Sequence, residues 1–181
     1  MTETPRTPIL RGANPTVQLL DGDETVTLAS VWRVDESPMG SGTALILWHA
    51  GLVRVIGIDP GLTSWLSGRF VRHLPEAAGL DWSQVDVRTD EVAVELSESG
   101  LVARAVGIEV RIDDVLGERA VATDELELDG VEHSLALRLL PCRRGSIELD
   151  GVALAGEPRV DETAEPPRST AFLALDGVWS R

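Results

Sequence analysis

Apolar and polar residues alternate along much of this chain, and Asp-Gly pairs separate several of the alternating runs. Such pairs occur at 21–22, 129–130, 150–151 and 176–177. Asp-Gly between alternating runs is a strong indication of a two-residue hairpin turn, because both central residues of a type I′ turn need a positive φ. The pattern therefore predicts antiparallel strands joined by tight hairpins.

The residues on both sides of Asp129-Gly130 support a hairpin there. With this pair at the centre of the turn, three pairs of residues face each other: Leu128 with Val131, Glu127 with Glu132, and Leu126 with His133. One face of the hairpin then carries apolar residues and His133, whereas the other carries the two glutamates. This segregation predicts a core face, which continues along the second strand through Leu135, Leu137 and Leu139.

Other segments predict further strands. The pair Asp150-Gly151 places Ile147 and Leu149 opposite Leu154 and Val152, again with apolar residues on one face. A third hairpin is predicted at Ser99-Gly100, with the pairs Leu96–Ala103, Val94–Ala105 and Glu95–Arg104. The nearly continuous apolar runs at 44–48 and 52–58 are typical of central strands that are buried on both faces.

Only one segment has the spacing of a helix. Trp65, Leu66, Phe70 and Leu74 recur at helical intervals, Thr63 or Ser64 can cap the start, and Pro75 ends the pattern. We therefore predict a mainly β fold, an antiparallel sandwich or barrel of hairpin-linked strands with one short helical insertion. An α+β roll is the alternative.

The distribution of proline and charge divides the chain into four parts. Residues 1–15 are predicted to form a flexible N-terminal arm, and residues 16–156 a single β-rich domain. Residues 157–170 have the composition of a linker. Residues 171–181 form a tail that holds the candidate for a last strand and a tryptophan, Trp179, that we expect to be exposed.

The charge of the chain restricts its partners. Sixteen basic residues, all arginine, stand against 30 acidic ones, which gives a formal net charge of -14. Such a chain repels polyanions, so we expect neither nucleic acid nor an anionic membrane as a partner, but a small molecule or a protein. The first residues lack the pattern of a signal peptide and no apolar run is long enough to span a bilayer, so a cytoplasmic protein is expected.

Few residues are candidates for chemistry. His133 is the main one, because the hairpin register places its imidazole among leucines, where it could act as a base or bind a ligand. Trp48 and His49 at a predicted turn are weaker candidates for a ligand site. Cys142 precedes Arg143 and Arg144, and neighbouring cations lower the pKa of a thiol. No metal-ligand spacing and no cofactor motif occurs, so we expect neither.

Three classes of function remain open, since no acid, base and nucleophile cluster in the sequence. The favoured one is a non-catalytic binding module for a small apolar or amphipathic ligand, or for a protein. The second is an enzyme on a β-barrel, with His133 and nearby carboxylates as acid-base groups. The third is a structural or oligomeric subunit. An enzyme would bring a histidine within hydrogen-bond reach of a carboxylate inside a pocket.

Overall fold

Strands dominate the computed structural model, which describes residues 5–181: 62% of these residues are in strands and 9% are helical. The strands in chain order are β1 (Pro8–Ala13), β2 (Thr16–Asp21), β3 (Glu24–Glu36), β4 (Gly42–His49), β5 (Leu52–Gly57), β6 (Gln84–Thr89), β7 (Ala93–Ser97), β8 (Gly100–Ala105), β9 (Ile108–Val115), β10 (Arg119–Leu128), β11 (Val131–Leu149), β12 (Val152–Ala153), β13 (Val160–Asp161), β14 (Arg168–Ser169) and β15 (Ala171–Ser180). The prediction of a mainly β fold is confirmed.

One large sheet contains all of these strands except the short pair β13–β14. Its order is β6-β5-β4-β3-β1-β15-β11-β9-β8-β7, with β10 and β12 also paired to β11, and β2 paired to β3 and β15. Every pairing is antiparallel except that of β5 with β6, so the sheet is mixed. The long strands β3 and β11 each pair with several partners along their length, which gives the sandwich-like or barrel-like architecture.

The register of the β10–β11 hairpin agrees with the prediction. Leu128 pairs with Val131, and Leu126 pairs with His133. Asp129 and Gly130 have φ values of 52° and 71°, as a type I′ turn requires. A bulge between Thr123 and Leu126 interrupts the pairing further along. The hairpin at Asp150-Gly151 also has the predicted pairing of Leu149 with Val152.

The β7–β8 hairpin has a different register from the predicted one. Leu96 pairs with Leu101, not with Ala103, because the turn consists of Glu98 and Ser99. The hydroxyl of Ser97 accepts a hydrogen bond from the backbone N–H of Ser99 and stabilises the turn at this position. Since the shift is two residues, each side chain keeps its predicted face.

Both ends of the chain contribute to the sheet. Pro8–Ala13, which the sequence analysis assigned to a flexible arm, forms β1 between β3 and β15. A Cβ atom on Gly12 would collide with the carbonyl oxygen of Arg33, so glycine permits the close approach of β1 to β3. The tail forms β15 between β1 and β11, and Asp176-Gly177 lies at an irregularity within this strand.

The segment predicted as a linker is also hydrogen-bonded to the domain. Glu157 forms a β-bridge with Leu20, and β13 pairs with β14 across an intervening loop. The backbone N–H of Thr170 donates to the carbonyl of Arg159. Proline and charged residues are abundant here because the segment lies at the surface, although its backbone is hydrogen-bonded to the rest of the domain.

The helix α1 (Pro60–Arg69) begins four or five residues before the start predicted from a cap at Thr63 or Ser64. The carboxylate of Asp59 accepts hydrogen bonds from the backbone N–H groups of Gly61 and Leu62, and Pro60 occupies the first helical position. Two 3₁₀ turns follow, Val71–His73 and Pro75–Ala77. Within residues 5–181, no helix is long and apolar enough to cross a bilayer.

The two faces of β3 and β4 bury two separate cores. Leu45 and Leu47 of β4 face one core, which also contains residues of β2, β8, β9, β11 and β15. Ala44 and Ile46 face the other, which α1 covers with Leu62 and Leu66. The tip of the β10–β11 hairpin joins this second core through Leu128, so the end of α1 and the hairpin tip belong to one core.

Candidate functional site

A cavity of about 290 Å³ lies where the end of α1 meets the tip of the β10–β11 hairpin. We call it the hairpin cleft. Its lining combines apolar, aromatic and charged side chains from both ends of the chain and from its middle: Ile9, Pro38, Trp65, Arg69, Phe70, Leu128, Asp129, Val131, His133 and Arg181. Its volume is near the lower end of the range of small-molecule sites, which is about 300–1,000 Å³.

Phe70 organises the aromatic wall of the hairpin cleft. Its ring lies 4.8 Å from that of Trp65 in an edge-to-face arrangement and 6.4 Å from the imidazole of His133, measured between ring centroids. Behind it, Trp32 and Trp179 pack at 5.9 Å and 6.4 Å from the same ring. These separations are favourable for aromatic pairs and hold the rings in fixed orientations.

A backbone hydrogen bond selects one tautomer of His133, the one imidazole in the lining of the hairpin cleft. The residue is 8% exposed, and its Nδ1 lies 2.8 Å from the carbonyl oxygen of Val131. A carbonyl oxygen can only accept, so Nδ1 carries the proton and Nε2 of the neutral ring is an acceptor. Nε2 has no hydrogen-bond partner among residues 5–181 and is not sealed from solvent. The cleft therefore offers one free acceptor on an apolar wall.

Charged side chains surround the mouth of the hairpin cleft. The carboxylate of Asp129 at the hairpin turn lies 3.5 Å from Nη1 of Arg69 and 3.7 Å from Nε2 of His73. These contacts connect the hairpin tip to the end of α1 and to the first 3₁₀ turn. Because Asp129 and Arg69 are both more than half exposed, the contacts orient the mouth and contribute little to stability.

The other two predicted ligand residues lie elsewhere. His49 is at the end of β4, where its Nδ1 is 3.0 Å from the hydroxyl of Thr27. Trp48 donates from Nε1 to the backbone carbonyl of Asp81. Both side chains are thus engaged within the fold, and neither lines the hairpin cleft.

Several residues of the hairpin cleft were not singled out as site residues from the sequence. Trp65 and Phe70 were assigned to the apolar face of the helix, and Asp129 to the turn. Each assignment describes the local structure, but these residues line a cavity only where the helical segment packs against the hairpin. In the sequence, the one indication of a site here is that Arg69 occurs close to two aromatic residues, Trp65 and Phe70.

Cys142 is completely buried in the aliphatic core. Burial, followed by the charges of Asp113 and Asp114, raises the pKa of its thiol to about 11. The neighbouring Arg143 and Arg144 form ion pairs with acidic residues at the surface and so do not activate the thiol. The thiol is therefore protonated at neutral pH.

The opposed glutamates of the hairpin do not form a cation site in this structure. Glu132 forms an ion pair with Arg6 at 3.2 Å, on the face away from His133. No group of three or more His, Cys, Asp or Glu side chains within residues 5–181 has the arrangement that could hold a metal ion.

Comparison of the chain with protein-family models, with curated proteins and with solved structures finds no match.

Proposed function

We propose that this protein is a binding module for a small, planar amphipathic molecule, which it holds in the hairpin cleft. The observation that carries the proposal is the free Nε2 of His133 on a wall built from Trp65, Phe70 and Leu128. Small-molecule sites typically have apolar and aromatic walls with a few fixed polar groups, and this arrangement has that composition.

The lining of the hairpin cleft favours binding over catalysis. Nδ1 of His133 bonds to a backbone carbonyl, not to a carboxylate that would activate the imidazole. The single side-chain carboxylate in the lining, that of Asp129, lies between Arg69 and His73. No Ser, Thr or Cys from the described part of the chain contributes to the lining, so the cleft has no side-chain nucleophile of these types.

The geometry restricts the chemistry of the ligand. Two aromatic rings meeting edge to face leave space for a flat molecule, and the cavity volume limits that molecule to one or two fused rings. The tautomer with its proton on Nδ1 accepts a hydrogen bond at Nε2, so the ligand should carry an N–H or O–H donor. The lining carries both signs of charge, Arg69 and Arg181 against Asp129, which favours a neutral ligand.

Indole and indene provide a test, because the two molecules have nearly the same shape but only indole has an N–H donor. We expect indole to shift the amide NMR signals of residues around Phe70 and His133, and indene to bind about tenfold more weakly. The variant His133→Phe keeps an aromatic ring but removes the acceptor, so it should abolish the preference for indole.

The matched control is His49→Gln, which changes a histidine outside the hairpin cleft and should leave the preference intact. Equal binding of indole and indene to the unmodified protein would contradict the assignment of His133. Signal shifts confined to residues far from the cleft would contradict the site itself.

A further inference from the structure

A second cavity, of about 340 Å³, lies at the opposite end of the same hairpin face. We call it the base cavity, because it is near the base of the β10–β11 hairpin, where β10 begins and its pairing with β11 ends. Its walls include Val121 and Leu137, which pair across the hairpin, and Phe172 of β15. The 3₁₀ turn Pro75–Ala77 closes one side with Glu76, and β14 closes another with Arg168.

Arg119 differs from most arginines of this protein. Ten of the chain's 16 arginines form ion pairs with Asp or Glu side chains. Arg119 lines the base cavity without an ion pair in the described residues, and its Nε is buried with no hydrogen-bond partner. The guanidinium therefore has no anionic partner within residues 5–181, and a carboxylate bound in the base cavity would supply one.

Arg168 adds a second cation to the base cavity. It faces Asp161 in the β13–β14 pair but forms no ion pair with it. The carboxyl of Glu76 is the one acidic group in the lining, and it does not pair with either arginine. Burial raises the pKa of Glu76, which makes its charged form less favourable than that of an exposed glutamate. The local charge is therefore positive, although the whole chain is acidic.

We propose that the base cavity binds an apolar monocarboxylic acid, with its carboxylate on Arg119 and Arg168 and its hydrocarbon part against Val121, Leu137 and Phe172. A planar guanidinium can donate two parallel hydrogen bonds to a carboxylate, and Arg119 has no carboxylate partner within residues 5–181. The apolar walls would stabilise the remainder of the molecule by removing it from water.

Two features favour such an acid over a polyphosphate or a free inorganic anion. The net charge of -14 repels an anion in proportion to the charge of that anion, so it opposes a polyphosphate more strongly than one carboxylate. Six of the ten lining residues are apolar, and a small hydrated anion would leave these walls without a partner.

The probes are octanoate, 1-octanol and inorganic phosphate, measured by isothermal titration calorimetry with the complete chain. Octanoate combines the apolar part with the charge, and each of the other two supplies one of them. We expect octanoate to bind with one-to-one stoichiometry, octanol to bind about tenfold more weakly, and phosphate to give no measurable heat. Binding of octanol as tight as that of octanoate, or binding of phosphate, would overturn the proposal.

Three variants locate the binding of octanoate. Arg119→Gln should weaken it about tenfold, and Arg33→Gln, which changes an exposed arginine of β3 outside the cavity, should leave it unchanged. Glu76→Gln removes the one negative charge of the lining and should strengthen binding about threefold at pH 7. This gain does not depend on the folding of the Arg119 variant. Equal affinities of all three variants would show that octanoate does not occupy the base cavity.

Discussion

The two cores of this protein share the strands β3 and β4 but differ in composition. The core between the sheet layers is built from Ala, Val, Leu, Ile and Cys side chains, with no aromatic ring. The core under α1 contains Trp32, Phe70 and Trp179, and the three remaining tryptophans pack against it. All five tryptophans of the chain are thus on the helix side.

Layer geometry explains this difference. Two sheet layers pack closely when small and branched aliphatic side chains interdigitate, whereas one helix of 10 residues covers the other face incompletely. Large rings fill the wider space but leave gaps, and the hairpin cleft is next to this core. The indole N–H groups of Trp32 and Trp179 are buried there without acceptors in the described chain. The helix-side core therefore leaves buried polar groups without hydrogen-bond partners in the described chain.

Truncation of one leucine in each core tests this comparison, and it is the test with the largest expected effect on the free energy of unfolding. Leu47 of the aliphatic core and Leu66 of the helix-side core are both fully buried. We expect Leu47→Ala to lower the free energy of unfolding by about 2–5 kcal/mol, and Leu66→Ala to cost less than Leu47→Ala. The reason is that a single helix can shift into the space, whereas paired strands cannot.

Urea unfolding followed by circular dichroism measures both changes. Ile58→Ala, at a position 67% exposed, is the control for substitution of a large aliphatic residue and should change stability little. A larger loss for Leu66→Ala than for Leu47→Ala would contradict the view that the helix side is the more adaptable core.

Local patterns in the sequence predicted the hairpins well and the helix-side core poorly. The Asp129-Gly130 turn fixed which side of the hairpin His133 occupies, because register depends only on neighbouring residues. Trp179, expected to be exposed in a tail, is 2% exposed in the centre of the aromatic cluster. Its burial depends on pairing with β1 and β11, which are distant in the chain, and no local pattern reports such contacts.

The candidate site was predictable to the same limited extent. The burial of His133 follows from the hairpin alone, but the hairpin cleft also needs Trp65 of α1 and Phe70, which directly follows α1. Arg119 of the base cavity occurs at the start of an edge strand, and its sequence neighbours do not distinguish it from the paired arginines. The lack of an ion pair at Arg119 within residues 5–181 is a property of the assembled fold.

The accessibility of the Cys142 thiol to solvent shows whether the aliphatic core opens. Its thiol pKa is about 11, raised from 9.0 mainly by burial, so it contributes stability that is complete below pH 9 and is lost as the pH rises through 11. The chain has neither Lys nor Tyr, so no other side chain type titrates strongly in this interval. We expect the unmodified protein to lose stability relative to Cys142→Ala between pH 9 and 11.

Chemical unfolding at pH 8 and pH 10.5 would measure that difference for both proteins. At pH 8 the folded protein should also resist thiol-reactive reagents until denaturant is added, because the side chain is inaccessible. Rapid modification of the folded protein would show that the aliphatic core opens, and it would remove the contrast between the two cores.

Substitution of Asp129 by Asn is expected to have the smallest effect, and it tests how the mouth of the hairpin cleft is held. Asn tolerates the positive φ of 52° at this position, so the turn should be retained while the charge is lost. The contacts with Arg69 and His73 are solvent-exposed, so we expect a loss of less than about 1 kcal/mol that added salt diminishes further. Denaturation at low and high salt would measure this loss. The control is Asp124→Asn on the same hairpin, which changes an exposed residue without an ion pair in the described chain.

A loss of several kcal/mol that is insensitive to salt would instead mean that Asp129 is essential to the junction of helix and hairpin, and that this side of the molecule is as rigid as the aliphatic core.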